Sequence, residues 1–190
     1  AAGCPRRRDR LTRAMRTLVL GGIRSGKSRW AEQAVTESAT GTVRYLATGP
    51  APDLDTGWAE RVAAHRTRRP AHWQTIETAD VATQLHQSAT AALVDDIGGW
   101  LTAAMDRTDA WNGGSAAAAT DELTAAVAAF TGPLVLVSPE VGLTVVPATE
   151  AGRQFADALG TLNQRLAAVC ERVVLVVAGI AVPIKGERGR

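Results

Sequence analysis

A chain of 190 residues, 46% hydrophobic and with a formal net charge of +2, is one domain with enough apolar material for a full core, and no apolar run approaches the roughly 20 residues of a membrane span. Its two cysteines, Cys4 and Cys170, give no disulfide framework and fit a reducing cytoplasm, so the expected location is cytoplasmic. Residues 1–16 carry a charge of +5 and the other 174 residues −3; the fold itself is not basic, which argues against nucleic acid as its main partner.

Residues 1–16 lack the apolar centre of a secretory signal and read as a disordered basic tail. Residues 17–185 then alternate between β-branched apolar runs and helical patterns. TLVLGG (Thr17–Gly22) is a short buried strand, and Lys27 to about Glu37 a helix. VRYLAT (Val43–Thr48) is a second strand. Gly57–His65 is helical, with Trp58, Arg61, Val62 and His65 at helical spacing. HWQTIE reads as a third strand, Ala79–Ala89 as a helix, and AALVDD (Ala91–Asp96) as a buried strand ending in two carboxylates. A helix follows from Gly98 to about Met105. WNGGSAAAAT is a loop or weak helix start before an alanine-rich helix, Thr120–Phe130. PLVLVS (Pro133–Ser138) is a strand. Ala151–Cys170 is a long helix with Phe155, Leu159, Leu162, Leu166 and Val169 on one face. RVVLVVAG is the last long strand, VPIK a short edge strand, and 186–190 a C-terminal tail. Strands buried on both faces and separated by helices imply an α/β fold: a mostly parallel sheet flanked by helices, in one domain.

Between the first strand and the first helix lies GGIRSGKS: Gly21, Gly22, Ile23, Arg24, Ser25, Gly26, Lys27 and Ser28. It fits the phosphate-loop pattern G-x-x-x-x-G-K-[ST] in the required strand–loop–helix context. Glycines let backbone N–H groups turn toward phosphate oxygens at the helix N-terminus. Lys27 reaches the β- and γ-phosphates, and the Ser28 hydroxyl binds Mg²⁺. The fold is therefore expected to be of the phosphate-loop NTPase type. Such enzymes place a carboxylate at the end of a neighbouring strand to hold the metal. Asp95 suits that role; because successive strand residues point to opposite faces, Asp96 reads better as the cap of the next helix. Glu140, also after a strand, reads equally as a ligand of substrate or metal and as a surface turn residue.

The stretch ERVAAHRTRRPAHW places His65 before Arg66, Arg68 and Arg69. Basic side chains at a helix C-terminus account for it blandly. An imidazole kept unprotonated by like charges, in a pocket built for phosphate, accounts for it chemically. The residues of the stretch leave both open. His72 reads as packing or capping beside Trp73, and His86 as solvated.

The order of these pieces resembles the bifunctional adenosylcobinamide kinase/adenosylcobinamide-phosphate guanylyltransferase family of cobalamin assembly, over roughly residues 17–185. It rests on GGIRSGKSRWAE, YLATG, RVAAHRTRRPAHW, TIE, LVDDIGGWLT, VSPEVGLTVVP, FADALGTLNQRLA and VVLVVAGI. The resemblance implies phosphorylation of adenosylcobinamide by ATP or GTP, then transfer of GMP from GTP to adenosylcobinamide phosphate through a GMP–histidine intermediate. That histidine corresponds to His65, with neighbouring arginines to stabilise the phosphates. It also implies Mg²⁺ as cofactor, a homotrimer, and nucleotide contacts from the phosphate loop, from Ala47, Thr48 and Gly49, from Arg66, Thr67, Arg68 and Arg69, and from Glu77 and Asp95. Lys27 and His65 are the catalytic candidates, Ser28 and Asp95 the metal candidates. Departures from the family pattern stand at Ile23, Asp96, Gly98–Gly99, Pro139, Thr144 and Thr161. A single-activity phosphate-loop kinase and a non-catalytic nucleotide-binding module are the alternatives.

Overall fold

The computed structural model describes residues 15–49 and 69–186. The expected helix Gly57–His65, and with it His65, Arg66, Thr67 and Arg68, lies outside the described residues, as do most of the amino-terminal tail and residues 187–190.

Seven strands form one sheet in the order β3-β2-β4-β5-β1-β6-β7. In chain order the elements are β1 (Arg16–Gly21), α1 (Lys27–Ser38), β2 (Arg44–Ala47), β3 (Gln74–Glu77), α2 (Val81–Gln87), β4 (Ala92–Asp95), α3 (Ile97–Arg107), α4 (Ala117–Ala129), β5 (Leu134–Pro139), α5 (Glu150–Val169), β6 (Arg172–Val177) and β7 (Ile180–Lys185). All pairings are parallel except β6–β7. The antiparallel end follows from a two-residue turn: Ala178 and Gly179 both have positive φ, 51° and 80°, which matches the twist of a tight hairpin.

Because helices cover both faces, the strand residues divide by alternation into two cores. Val19, Tyr45, Leu93, Val135, Val137 and Val176 pack with Ala31 and Val35 of α1. Leu18, Leu46, Val94, Leu134 and Leu136 pack beneath the helices of the other face, with Leu85, Ile97, Trp100, Leu123, Leu159, Leu162 and Leu166. This double coverage explains why the strands read as unbroken apolar runs.

Several boundaries move for identifiable reasons. β1 begins at Arg16, whose guanidinium and backbone N–H bind Glu171 across the sheet. Burial opposes the Glu171 charge, but the hydrogen bonds from Arg16 outweigh it and hold the carboxyl down to about 2. α2 starts at Val81 because the Asp80 carboxylate accepts from the Thr83 N–H. At its other end Arg44, buried at the start of β2, donates to the carbonyls of Gln84 and Ser88, a cation on a helix C-terminus. The stretch after α3 is one short 3₁₀ turn, Ala110–Asn112, and α4 begins at Ala117, three residues before the expected Thr120. β7 runs from Ile180, longer than VPIK alone, and its Pro183 is tolerated because the strand is at the sheet edge.

Candidate active site at the carboxyl edge of the sheet

Parallel strands end at one edge, and there the loops converge. The register aligns Glu77 with Ala47, Ala47 with Asp95, Asp95 with Val137, and Gly21 with Pro139. The candidate residues on four strands thus reach the same edge in an open α/β sheet, where such sheets bind ligands.

The phosphate loop leaves β1 at Gly21, where a Cβ would stand 2.7 Å from the Val176 carbonyl oxygen. Arg24 and Gly26 have positive φ, 55° and 93°; Gly26 takes this strain without penalty and caps α1 with no side-chain hydrogen bond. The first N–H groups of α1 therefore have no side-chain competitor, the arrangement that receives an anion. The loop is anchored from the β6–β7 turn, where the Gly179 N–H donates to the Ser25 carbonyl at 2.8 Å. Lys27 Nζ donates to the Gly22 carbonyl at 3.2 Å and lies across the loop mouth, the residue half-buried. Ile23 is 86% exposed at the tip, so its side chain leaves the backbone cradle untouched. Ser25 Oγ is buried with no hydrogen bond.

Asp95 ends β4 and Asp96 lies just beyond it, and the two carboxylates take the separate places expected of them. Asp95 faces α1: its Oδ1 lies 3.4 Å from the Ser28 hydroxyl, and its Oδ2 accepts from the Tyr45 hydroxyl at 2.8 Å. Asp96 turns to the other side, where its Oδ1 accepts from the Gly99 N–H at 2.7 Å and caps α3. Burial raises the Asp96 carboxyl above its ordinary value, opposed by that amide. Adjacent oxygens around an octahedral Mg²⁺ at 2.0–2.1 Å lie about 3 Å apart, so Ser28 Oγ and Asp95 Oδ1 fit as neighbouring ligands. Among the described residues no cluster of three or more His, Cys, Asp or Glu exists; a metal here would take its remaining ligands from phosphate and water, as Mg²⁺ does at nucleotides.

The loop after β2 closes the next side. Thr48 Oγ1 donates to the Asp96 carbonyl at 2.5 Å, and Gly49 lies so close to α3 that a Cβ on Gly99 would stand 3.3 Å from its Cα. Glu77 ends β3 with an exposed side chain. Of the basic segment, Arg69 is described: its guanidinium carbon lies 3.3 Å from the centroid of the Tyr45 ring, and its Nη1 donates to Thr75 Oγ1. Glu140 stands in the turn after β5, its carboxylate accepting from the Gly142 N–H at 2.6 Å. His72 is exposed rather than packed, and His86 is exposed. Trp100 is core, and Arg172 covers Trp30.

Tyr45 is the residue that sequence reasoning missed. Its burial raises the phenol, with Asp95 adding to the effect, so it is a donor at every working pH. A signal was present: it is the single tyrosine and stands two residues before the strand end, diagonal to Asp95 once β2 and β4 are known to pair.

Residues 17–184 match the family described as cobinamide kinase / cobinamide phosphate guanyltransferase. The chain belongs to that family. A bifunctional adenosylcobalamin biosynthesis protein, CobP, of Pseudomonas aeruginosa is 43% identical over 91% of this chain and 99% of its own length. Proteins of the same description, named CobU, are 37% identical in Salmonella typhimurium and 36% in Escherichia coli; each alignment spans 90% of this chain and the whole of the relative. Among solved structures, the RadB recombinase aligns with a TM-score of 0.46 at 17% identity, over 86% of this chain and 74% of that one. The P4 protein of bacteriophage phi6 with ADP aligns with a TM-score of 0.44, also at 17% identity, over 88% and 54%. Family membership carries the class of activity, a kinase and a guanylyltransferase of the cobalamin route, and meets the expectation drawn from the motif blocks. No helix among the described residues is long and apolar enough to cross a membrane.

Proposed function

We propose that this chain phosphorylates adenosylcobinamide with ATP or GTP and then transfers GMP from GTP to the product. The observation that carries the reading is the assembled phosphate loop, with Lys27 at its mouth and the Ser28 hydroxyl beside Asp95, in a chain of this family. In the first step the aminopropanol hydroxyl attacks the γ-phosphorus, the bond to the β-bridging oxygen breaks, and a nucleoside diphosphate leaves. The α1 N-terminus and Lys27 hold the phosphates and oppose the charge that spreads over them in the transition state. Mg²⁺, held by Ser28 and Asp95, supplies further neutralisation of that charge when bound.

In the second step the neutral imidazole of His65 attacks the α-phosphorus of GTP and pyrophosphate leaves. The phosphate of adenosylcobinamide phosphate then attacks the same phosphorus, the N–P bond breaks, and adenosylcobinamide-GDP forms with the histidine restored. Arg66, Arg68 and Arg69 serve twice, disfavouring protonation of His65 and stabilising the transferring phosphates; Thr67, Glu77 and Ala47–Gly49 complete the nucleotide contacts. The chain works as a homotrimer, a reading supported by two exposed apolar sets: Leu143, Val145 and Val146 in one loop, and Ile180, Val182 and Ile184 along β7.

The test is covalent labelling. GTP labelled at the α-phosphate should leave label on the denatured protein, and GTP labelled at the γ-phosphate should not. The adduct is a phosphoramidate, so the label should be lost in acid and survive base, because protonating the bonded nitrogen makes imidazole a leaving group. His65→Ala should abolish labelling and guanylyltransfer while sparing part of the kinase step. Label retained on folded His65→Ala protein would remove His65 as the GMP carrier.

A further inference from the structure

Tyr45 sits between the two chemistries. Its ring is 3% exposed within the core beneath α1. Its hydroxyl donates to Asp95 Oδ2 while Oδ1 of the same carboxylate faces Ser28. Over its ring lies Arg69, the last residue of the basic segment that begins beside His65. Arg69 is held from one side by Thr75 on β3, and its Nε is buried without a hydrogen bond. A strand-end carboxylate can rotate about its last bond, and a short hydrogen bond from a packed ring to one oxygen favours the rotamer that turns the other toward the hydroxyl of the phosphate loop.

We propose that Tyr45 is a positioning residue for the metal-holding carboxylate, and that Arg69, stacked on it, ties that carboxylate to the basic segment. Tyr45 touches neither nucleotide nor acceptor; it acts through Asp95. The inference rests on the metal reading of Ser28 and Asp95 given above. Its consequence is that the guanylyltransfer segment and the kinase metal are mechanically joined. An arginine drawn from the Tyr45 ring toward a phosphate releases the ring, and the ring sets the carboxylate.

The experiment measures Mn²⁺ binding by electron paramagnetic resonance, on the full chain with a non-hydrolysable ATP analogue. Tyr45→Phe keeps ring, packing and stack and deletes one hydrogen bond to a charged group. It should weaken Mn²⁺ about tenfold, with thermal midpoint and metal-free nucleotide affinity unchanged. Arg69→Met, which keeps a chain over the ring but removes the cation, should weaken Mn²⁺ about threefold by loosening the stack, beyond any loss in its metal-free nucleotide affinity, which measures the phosphate contact of Arg69 separately; the double variant should fall short of the product of the two effects. Asp95→Asn is the control for the underlying reading. If Asp95→Asn weakens Mn²⁺ and Tyr45→Phe does not, Tyr45 is a packing residue and the positioning role is lost. If Asp95→Asn leaves Mn²⁺ unchanged, the metal assignment itself is wrong and this inference goes with it. Should Tyr45→Phe lose its fold, the Arg69→Met arm decides, and unchanged Mn²⁺ affinity there overturns the coupling.

Discussion

Two loops leave neighbouring strands at the same edge of the sheet and are built in opposite ways. The loop after β1 turns its backbone inward. Its Ser25 carbonyl is held by the Gly179 N–H, its Gly22 carbonyl by Lys27, and close approach leaves no room for a Cβ at Gly21. The loop after β5 turns side chains outward, exposing Leu143 by 76%, Val145 by 91% and Val146 by 74%. Its own bonds are local: Glu140 to the Gly142 N–H, and Thr144 to the Val141 carbonyl. Its two ends are tied to the fold: at the root the buried Asn163 donates to the Pro139 carbonyl and accepts from Ser138, and the Glu140 N–H donates to the Gly21 carbonyl; at the far end Arg153 donates to the carbonyls of Pro147 and Ala148. A preformed array of amides suits a small anion, since nothing must be ordered when it binds. A row of exposed valines suits a large apolar surface, because burial is the only favourable term they offer.

The sharpest way to break this contrast is at Lys27. Lys27 is half-buried and belongs to neither apolar core, so Lys27→Ala should fold normally. It should also slow phosphorylation of adenosylcobinamide by on the order of a hundredfold or more, the cost of one cation aimed at transition-state charge. Normal kinase turnover in the folded variant would remove Lys27 from the site and leave the backbone as the whole of the phosphate cradle.

The second loop is tested by Val145→Ser with Val146→Ser. If these valines face a second copy of the chain, burying even half of each contributes about 1.5 kcal/mol per contact, so association should weaken roughly tenfold. Sedimentation over a concentration series reads this directly. An unaltered assembly with a raised KM for the corrinoid would reassign the loop to the substrate.

What the sequence could reveal follows the same division. The strand–loop–helix course of the phosphate loop was legible because glycine spacing sets the backbone there, and the spacing is the fold. Asp95 and Asp96 were separable because one ends an apolar run and the other stands where a cap opens the next helix, which needs no knowledge of strand order. Tyr45 and Arg69 were out of reach because their meeting depends on β2 lying between β3 and β4, a fact of topology. The same holds for a pair of departures from the family pattern, Gly98 and Pro139. Forty-one positions apart in the chain, they touch in the fold: a Cβ on Gly98 would stand 2.9 Å from Pro139 Cγ and 3.1 Å from its Cδ.

That contact carries the smallest and most specific expectation, at the root of the outward-facing loop. Gly98 is buried in the first turn of α3, where alanine is ordinarily the better helix former by up to about 1 kcal/mol. Here the added methyl meets a proline ring backed by β5, and overpacking of this kind costs about 1–3 kcal/mol. Gly98→Ala alone should therefore destabilise by about 1 kcal/mol. In a Pro139→Ala background the ring atoms that the methyl would strike are gone. The same substitution should then be neutral or stabilising, giving a coupling of roughly 1 kcal/mol or more between the sites. Denaturant unfolding of the four proteins measures it. Additive effects would mean that Pro139 yields freely, and that the two positions change independently of one another.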